Sequence, residues 1–307
     1  MTEKYFNPDA IRLFDFDFIT FFMSDWPLSL NLLRFYPKKL ASVCVGWAAS
    51  RHLPKIIRRT LFRHFVRYYE VDLSEAEKPL EEYKSFQEFF TRRLLPGLRP
   101  QDEMLFGAIN CPVDGRLIAL GRIQSGMLIQ AKGLSYRLEE LLKHIPLPER
   151  FEGGHFLTLY LSPKDYHRIH VPIEGRVQAI SKVEGELWPV NDASTTHVHR
   201  LYERNRRAVW LAEGRERDDG LLVACVLIGA THVGGCVLDE RWLEGRILPN
   251  DGGLNVSSIF CSPGDDLGLF QFGSTVVMLV GGAKADSWQP VKQQGVVKVG
   301  ERLGMFR

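Results

Sequence analysis

The sequence predicts an α+β protein: a helical amino-terminal region over residues 1–100 and a β-rich, barrel-sandwich-like domain over residues 101–307. Three observations lead there. A basic stretch with helical periodicity lies near the start, the texture changes after a proline-glycine break, and the later part contains two internal echoes. The bulk numbers permit this division. At 307 residues and 45% hydrophobic content the chain can bury a full core, as one large domain or two modest ones.

The helical region is lopsided in charge. Between Asp25 and Glu70 there is no acidic residue, while the same stretch holds nine lysines and arginines. Ile57, Leu61, Phe65 and Tyr69 recur at i, i+4, and Lys55, Arg59, Arg63 and Arg67 form a second stripe on another face. Such a basic amphipathic helix can lie in the headgroup region of an anionic membrane, or it can pack its apolar stripe on the protein's own core. The acid-free run extends well beyond one helix, which favours the membrane, and both uses are compatible. Ser85 followed by Glu88 has the spacing of a capping box, and Phe89, Phe90, Leu94 and Leu95 are expected to cap the core of the next domain.

Pro96-Gly97 and Arg99-Pro100 break the chain. Beyond them come short apolar runs, with strands expected at Phe156–Leu161, Leu221–Ile228 and Ser274–Val280 and a helix near Leu138–Lys143. Pro112-Val-Asp-Gly-Arg-Leu-Ile-Ala-Leu returns as Pro172-Ile-Glu-Gly-Arg-Val-Gln-Ala-Ile, and Gly264-Asp-Asp-Leu-Gly-Leu-Phe returns as Gly300-Glu-Arg-Leu-Gly-Met-Phe. Either one β motif is duplicated, or two β-turns look alike by chance. Asp114 in one copy stands where the other has Glu174, which suggests that only one copy carries chemistry.

Several classes are disfavoured. A net charge of +2 gives no argument for nucleic acid as a partner. The five scattered cysteines signal neither a disulfide framework nor a zinc ribbon and suit a reducing compartment. Asp15 and Asp17 interrupt the first apolar stretch, so no cleavable signal peptide is expected, and the uncharged residues 40–50 are too few to span a bilayer. The expected location is the cytoplasmic side.

Three stretches carry candidate chemistry. Tyr160-Leu-Ser-Pro-Lys-Asp-Tyr-His-Arg-Ile-His-Val-Pro172 sets His167 and His170 three apart, and the flanking prolines favour a turn or short helical bend. Acid-base work is favoured over a metal pair, because no further ligand lies at a familiar spacing, and over a purely structural role for both histidines; no bound metal is expected. Asp114 before Gly115 is ordinary turn chemistry unless it has a partner, and a carboxylate commonly holds a catalytic histidine in one tautomer, here His170. Phe272-Gly-Ser-Thr-Val-Val-Met-Leu-Val280 puts Gly273 and Ser274 at the head of an apolar strand, without the spacing of a hydrolase elbow.

In this order and spacing, Val-Asp114-Gly, the Tyr-His-Arg-Ile-His segment and Gly273-Ser274-Thr275 resemble the phosphatidylserine decarboxylases. The Phe-Phe-Thr-Arg stretch within Ser85–Leu94, Pro189-Val-Asn191, Leu201–Arg207, Gly229-Ala-Thr-His-Val-Gly234 and Gly264–Phe270 agree, so the resemblance covers roughly residues 30–307 and points to the bacterial, membrane-peripheral branch. Phe272 and Arg206 depart from the usual pattern, and residues 1–25 match nothing named.

The resemblance implies that Ser274 attacks the carbonyl of Gly273, that the chain splits into 1–273 and 274–307, and that Ser274 becomes a covalent pyruvoyl cofactor. It implies a Schiff base with the amine of phosphatidylserine, loss of CO2 and release of phosphatidylethanolamine. His170, oriented by Asp114, is the candidate base of maturation and His167 the candidate acid of turnover; Tyr166, Arg168, Val190 and Asn191 are candidate substrate contacts. The implied partners are phosphatidylserine, an anionic membrane surface, the chain's own cleaved fragment and a second copy in a homodimer; the implied location is peripheral, on the cytoplasmic face of the membrane. The alternatives are a pyruvoyl enzyme for a soluble amino acid, a Ser-His-Asp hydrolase and a non-enzymatic lipoyl-like carrier.

Overall fold

The computed structural model describes residues 38–103, 105–129, 135–215, 220–230, 235–256, 259–271 and 274–306. The basic helix runs over Lys55–Tyr69. It follows Pro54 and stops at Glu70, whose left-handed backbone (φ 54°) lets its N–H bond Val66 O. Phe62 and Phe65 are buried on its inner face, with Phe62 5.3 Å from Phe89 and Phe65 4.9 Å from Phe86, ring centre to ring centre. Each buried ring contributes about 2 kcal/mol. Lys55, Arg59, Arg63 and Arg67 stay exposed, so the carboxyl half of the apolar stripe packs internally while the basic stripe faces outward. Among the described residues no helix is long and apolar enough to cross a membrane.

The short helix Phe86–Phe90 starts as its sequence predicts, with Ser85 Oγ accepting from Glu88 N–H at 3.1 Å. The reciprocal half of the capping box differs. Glu88 accepts from the N–H of Lys84 at 2.8 Å instead of that of Ser85, and it pairs with Lys78.

The main sheet orders its strands Gly252–Asn255, Gly175–Val183, Arg207–Gly214, Leu222–Ile228, Ser274–Gly281, His155–Leu161, Gly115–Gln124, Met127–Ile129 and Ser135–Arg137. Phe260–Cys261 and Gly295–Val297 add to its flanks, and two three-stranded sheets stand beside it. The path is open, so the architecture is a layered sandwich and not a closed barrel. The two central strands are buried along their length, which accounts for their unbroken apolar runs. Alternation assigns Val276, Met278 and Val280 to one core layer and Val277 and Leu279 to the other.

The echoes occupy equivalent places. Ile109 and Asn110 pair with Gly304 and Arg302, as Ile169 and His170 pair with Gly268 and Asp266. The crossings are reciprocal: Asn110 N–H bonds Pro172 O at 2.9 Å and His170 N–H bonds Pro112 O at 2.8 Å. Cys111 exchanges backbone bonds with Glu301 and Gly300, as Val171 does with Asp265 and Gly264. Both echoed strands carry a bulge at the same point, between Leu117 and Ala119 and between Val177 and Ala179. Their glycines have one reason. A Cβ at Gly115 would lie 2.4 Å from Tyr160 O, and one at Gly175 would lie 2.0 Å from Glu213 O.

Candidate active site

Ser274 opens its central strand opposite Leu161, is fully buried, and its Oγ has no hydrogen-bond partner among the described residues. Gly273 lies outside the described residues, as does the Thr231–Gly234 part of the motif that begins at Gly229. Just past Leu161 the chain turns at Pro163, and Asp165 closes the turn by accepting from the N–H and Oγ–H of Ser162 at 2.7 and 2.9 Å. Burial nevertheless raises the Asp165 pKa.

His167 follows that turn. Its Nδ1–H donates to Asp165 O at 2.8 Å and its ring lies 4.0 Å from the Phe90 ring centre. Full burial pushes its pKa down to about 3, so the ring is neutral near pH 7. With the proton on Nδ1, Nε2 carries the lone pair, and it has no partner among the described residues. His170 sits in the three-residue strand Arg168–His170. A turn and an extended strand thus replace any helical bend, and the two histidines do not share a helical face. His170 Nδ1–H donates to Gly264 O at 2.8 Å, and Nε2 accepts from the Tyr166 hydroxyl at 3.0 Å. Burial lowers its pKa, opposed by the Gly264 bond and by Asp266, whose carboxylate stands 3.7 Å from Nδ1. Burial also pushes Tyr166 up to about 12 and keeps it a donor.

The expected Asp114–His170 hydrogen bond is not formed among the described residues. Asp114 instead accepts from Arg99 through a forked contact and from Val299 N–H at 2.9 Å, and Arg99 also holds Glu75. The segment after Pro96-Gly97 folds back over the Asp114 turn, and a planar guanidinium suits a carboxylate better than an imidazole does. Asp114 therefore reaches His170 only through its field, a smaller influence than that of Asp266.

Tyr166 and Arg168 lie within this cluster. Arg168 Nε–H bonds Thr91 O at 3.1 Å and its Nη1 is 3.6 Å from Asp266. Of the other two candidate contacts, Val190 is buried in the second core layer, and Asn191 caps the Asp192–His197 helix by accepting from Ser194 N–H at 2.9 Å. Sequence reasoning missed Arg99, Asp266 and Arg92. The first two are brought in by distant pairing; Arg92 stood within the Phe-Phe-Thr-Arg stretch without a role.

A fully buried serine heads a central strand, and two histidines are fixed through backbone carbonyls nearby in the chain's β scaffold, after the turn that follows Leu161, the strand partner of Ser274. The family model described as phosphatidylserine decarboxylase matches residues 86–305. The phosphatidylserine decarboxylase proenzyme of Anaeromyxobacter sp. (strain K) is 40% identical over 286 residues, covering 90% of this chain and 98% of that protein. Those of Myxococcus xanthus and Shewanella putrefaciens are 34% and 38% identical, covering 90% and 89% of this chain and 98% and 96% of the relatives. The chain belongs to the phosphatidylserine decarboxylase family and is a carboxy-lyase.

Proposed function

We propose that the chain cleaves itself between Gly273 and Ser274 and, once matured, decarboxylates phosphatidylserine with a pyruvoyl group made from Ser274. The observation that carries this reading is the buried Ser274 Oγ, which has no hydrogen-bond partner among the described residues. Such a hydroxyl is destabilising when it is only structural. Backbone ladders on both sides, to Leu161 and through Thr275 to Ile228, hold the residue in place. The word proenzyme in the relatives' names supports processing.

In maturation Ser274 Oγ adds to the carbonyl carbon of Gly273. The peptide C–N bond gives way to an ester, the hydroxyl proton goes to a base and the freed amine gains a proton. His170 is that base. Gly264 fixes its tautomer, and Tyr166 must yield the Nε2 lone pair before it can accept the proton. Loss of the Cα proton and of the ester oxygen from Cβ then frees the carboxylate of residue 273, and hydrolysis with loss of ammonia completes the new amino-terminal group. The pyruvoyl group supplies a ketone for the substrate amine and an electron sink for the bond that releases CO2. His167, with its free Nε2, takes up and returns the proton of turnover. Asp114 and Arg99 hold the turn against Val299.

Exposed Lys55, Arg59, Arg63 and Arg67, near exposed Ile56, Ile57 and Trp47, support docking on an anionic bilayer from the cytoplasmic face. The deciding experiment is the intact mass of the purified protein. Chains 1–273 and 274–307, the latter of 307 − 273 = 34 residues and blocked to amino-terminal sequencing, are expected. An active protein that remains a single chain would overturn the reading.

A further inference from the structure

Arg92 is only 4% exposed and follows the Phe86–Phe90 helix. Its Nη2–H donates to Lys164 O at 2.9 Å, one peptide before the carbonyl that holds His167, and its guanidinium lies 5.6 Å over the Phe89 ring. Nε and Nη1 are buried with no hydrogen-bond partner among the described residues. The carboxylates whose fields reach it are engaged elsewhere: Asp165 with Ser162, Asp72 with Ser74, and Asp114 and Glu75 with Arg99. A guanidinium stays protonated even where burial disfavours its charge, so a cation with two idle donors stands at the edge of the site. A buried charge without a contacting counter-ion is strongly destabilising, and a partner that arrives later removes the penalty.

We propose that Arg92 binds an oxyanion that reaches the site only when the enzyme matures or takes substrate. This rests on the proposed function. The substrate's carboxylate is the wrong anion, because a guanidinium clamp would stabilise the ground state against loss of CO2. Two oxyanions remain: the carboxylate freed at residue 273 and the phosphodiester of the substrate, which only one oxygen and Cβ separate from the reacting Cα. Either suits a planar fork of N–H donors.

The test compares matured two-chain proteins carrying Arg92, Arg92→Lys or Arg92→Gln, with a short-chain phosphatidylserine as substrate. If the phosphodiester is the ligand, Arg92→Gln raises KM about 10- to 100-fold with little change in kcat, and Arg92→Lys recovers part of the loss. If the residue 273 carboxylate is the ligand, KM holds, but the matured protein loses its Tm advantage over the uncleaved Ser274→Ala chain when Arg92→Gln is present in both. Unchanged KM together with an unchanged Tm difference overturns the assignment of Arg92 alone. Should Arg92→Gln fail to mature, the Arg92→Lys protein carries both measurements, since it keeps the charge and loses the fork. A wild-type protein that never cleaves overturns the active-site reading itself, and this assignment with it.

Discussion

The two halves of the sandwich share their crossings, bulges and buried glycines, yet differ in the side chains placed at equivalent points. Asn110 stands where the other copy has His170, and Glu174 where it has Asp114. Leu159 pairs with Leu117 as Ala212 pairs with Val177, so Leu161 corresponds to Gly214. Ser274, opposite Leu161, then corresponds to Leu221, whose carbonyl accepts from Gly214 N–H at 2.8 Å. Asn110 donates to Asp102 O at 3.0 Å, and Leu221 packs in the core. The comparison separates two demands on one chain. Backbone pairing and close approach recur in both copies, whereas the proposed chemistry falls on departures from the repeat, with His167 standing where the other copy has Gly107.

The largest break falls at Ser274. Ser274→Ala removes the oxygen needed for the acyl shift and the elimination, so no 274–307 chain should appear by intact mass and no CO2 should be released. Leu221→Ala, its counterpart, should cost about 2–5 kcal/mol of stability by opening a cavity and still mature wherever it folds. Two bands from Ser274→Ala would end the processing hypothesis.

The next contrast is His170 against Asn110. His170→Ala should slow self-cleavage by about 100-fold or more on a gel time course, whereas Asn110→Ala should cleave at close to the wild-type rate after a modest loss of stability. His167→Ala divides the roles further: it should mature yet fail in CO2 release. Normal cleavage in His170→Ala would move the base to His167, whose Nε2 has no partner among the described residues.

Acid should expose the same asymmetry. His167 has a folded pKa near 3 against an ordinary 6.5, so between those values the unfolded chain binds the extra proton. The contribution of His167 is therefore complete above about pH 6.5 and is lost as pH drops toward 3; His170, lowered in the same direction, adds to the fall. Urea midpoints of the uncleaved Ser274→Ala chain, measured from pH 7 to 4, should decline less steeply when His167→Phe is added. Parallel declines would show that other groups govern acid sensitivity.

Much of this was legible in the sequence. The apolar runs at 156–161, 221–228 and 274–280 are strands, because a strand covered on both faces has no polar alternation to hide it. The echoes marked the duplication because its tight crossings demand glycine at 115 and 175. What failed was partner choice. Asp114 meets Arg99 and not His170, and His170 meets Asp266 across a strand pair almost a hundred residues apart in sequence, which no local spacing encodes. Asn191, part of a family stretch, also has the Asn-Asp-Ala-Ser spacing of a helix cap, and the structure uses it as one. Arg92 was given no role because nothing local reveals that Phe89 and Phe90 carry it into the interior.

The smallest contrast is that of the two turn carboxylates. Asp114 and Arg99 are each about 10% exposed in their side chains, and Asp114 also receives Val299 N–H, so the pair ties the amino-terminal region to the carboxyl-terminal segment through the same oxygens. Asp114→Ala leaves a largely buried guanidinium with Glu75 as its remaining contacting carboxylate among the described residues and leaves the Val299 amide without this acceptor, a loss of about 3–5 kcal/mol. Maturation should suffer with it, because Val299 follows the Gly295–Val297 strand that pairs with Gly115. Glu174 faces Arg215 with 46% of its side chain in solvent, and an exposed ion pair contributes only about 0–1 kcal/mol. Glu174→Gln should therefore leave the urea midpoint and the cleavage rate within error, while Asp114→Ala lowers both. An equal effect at the two positions would mean that the turn itself, and not the buried contact to Arg99, gives Asp114 its weight.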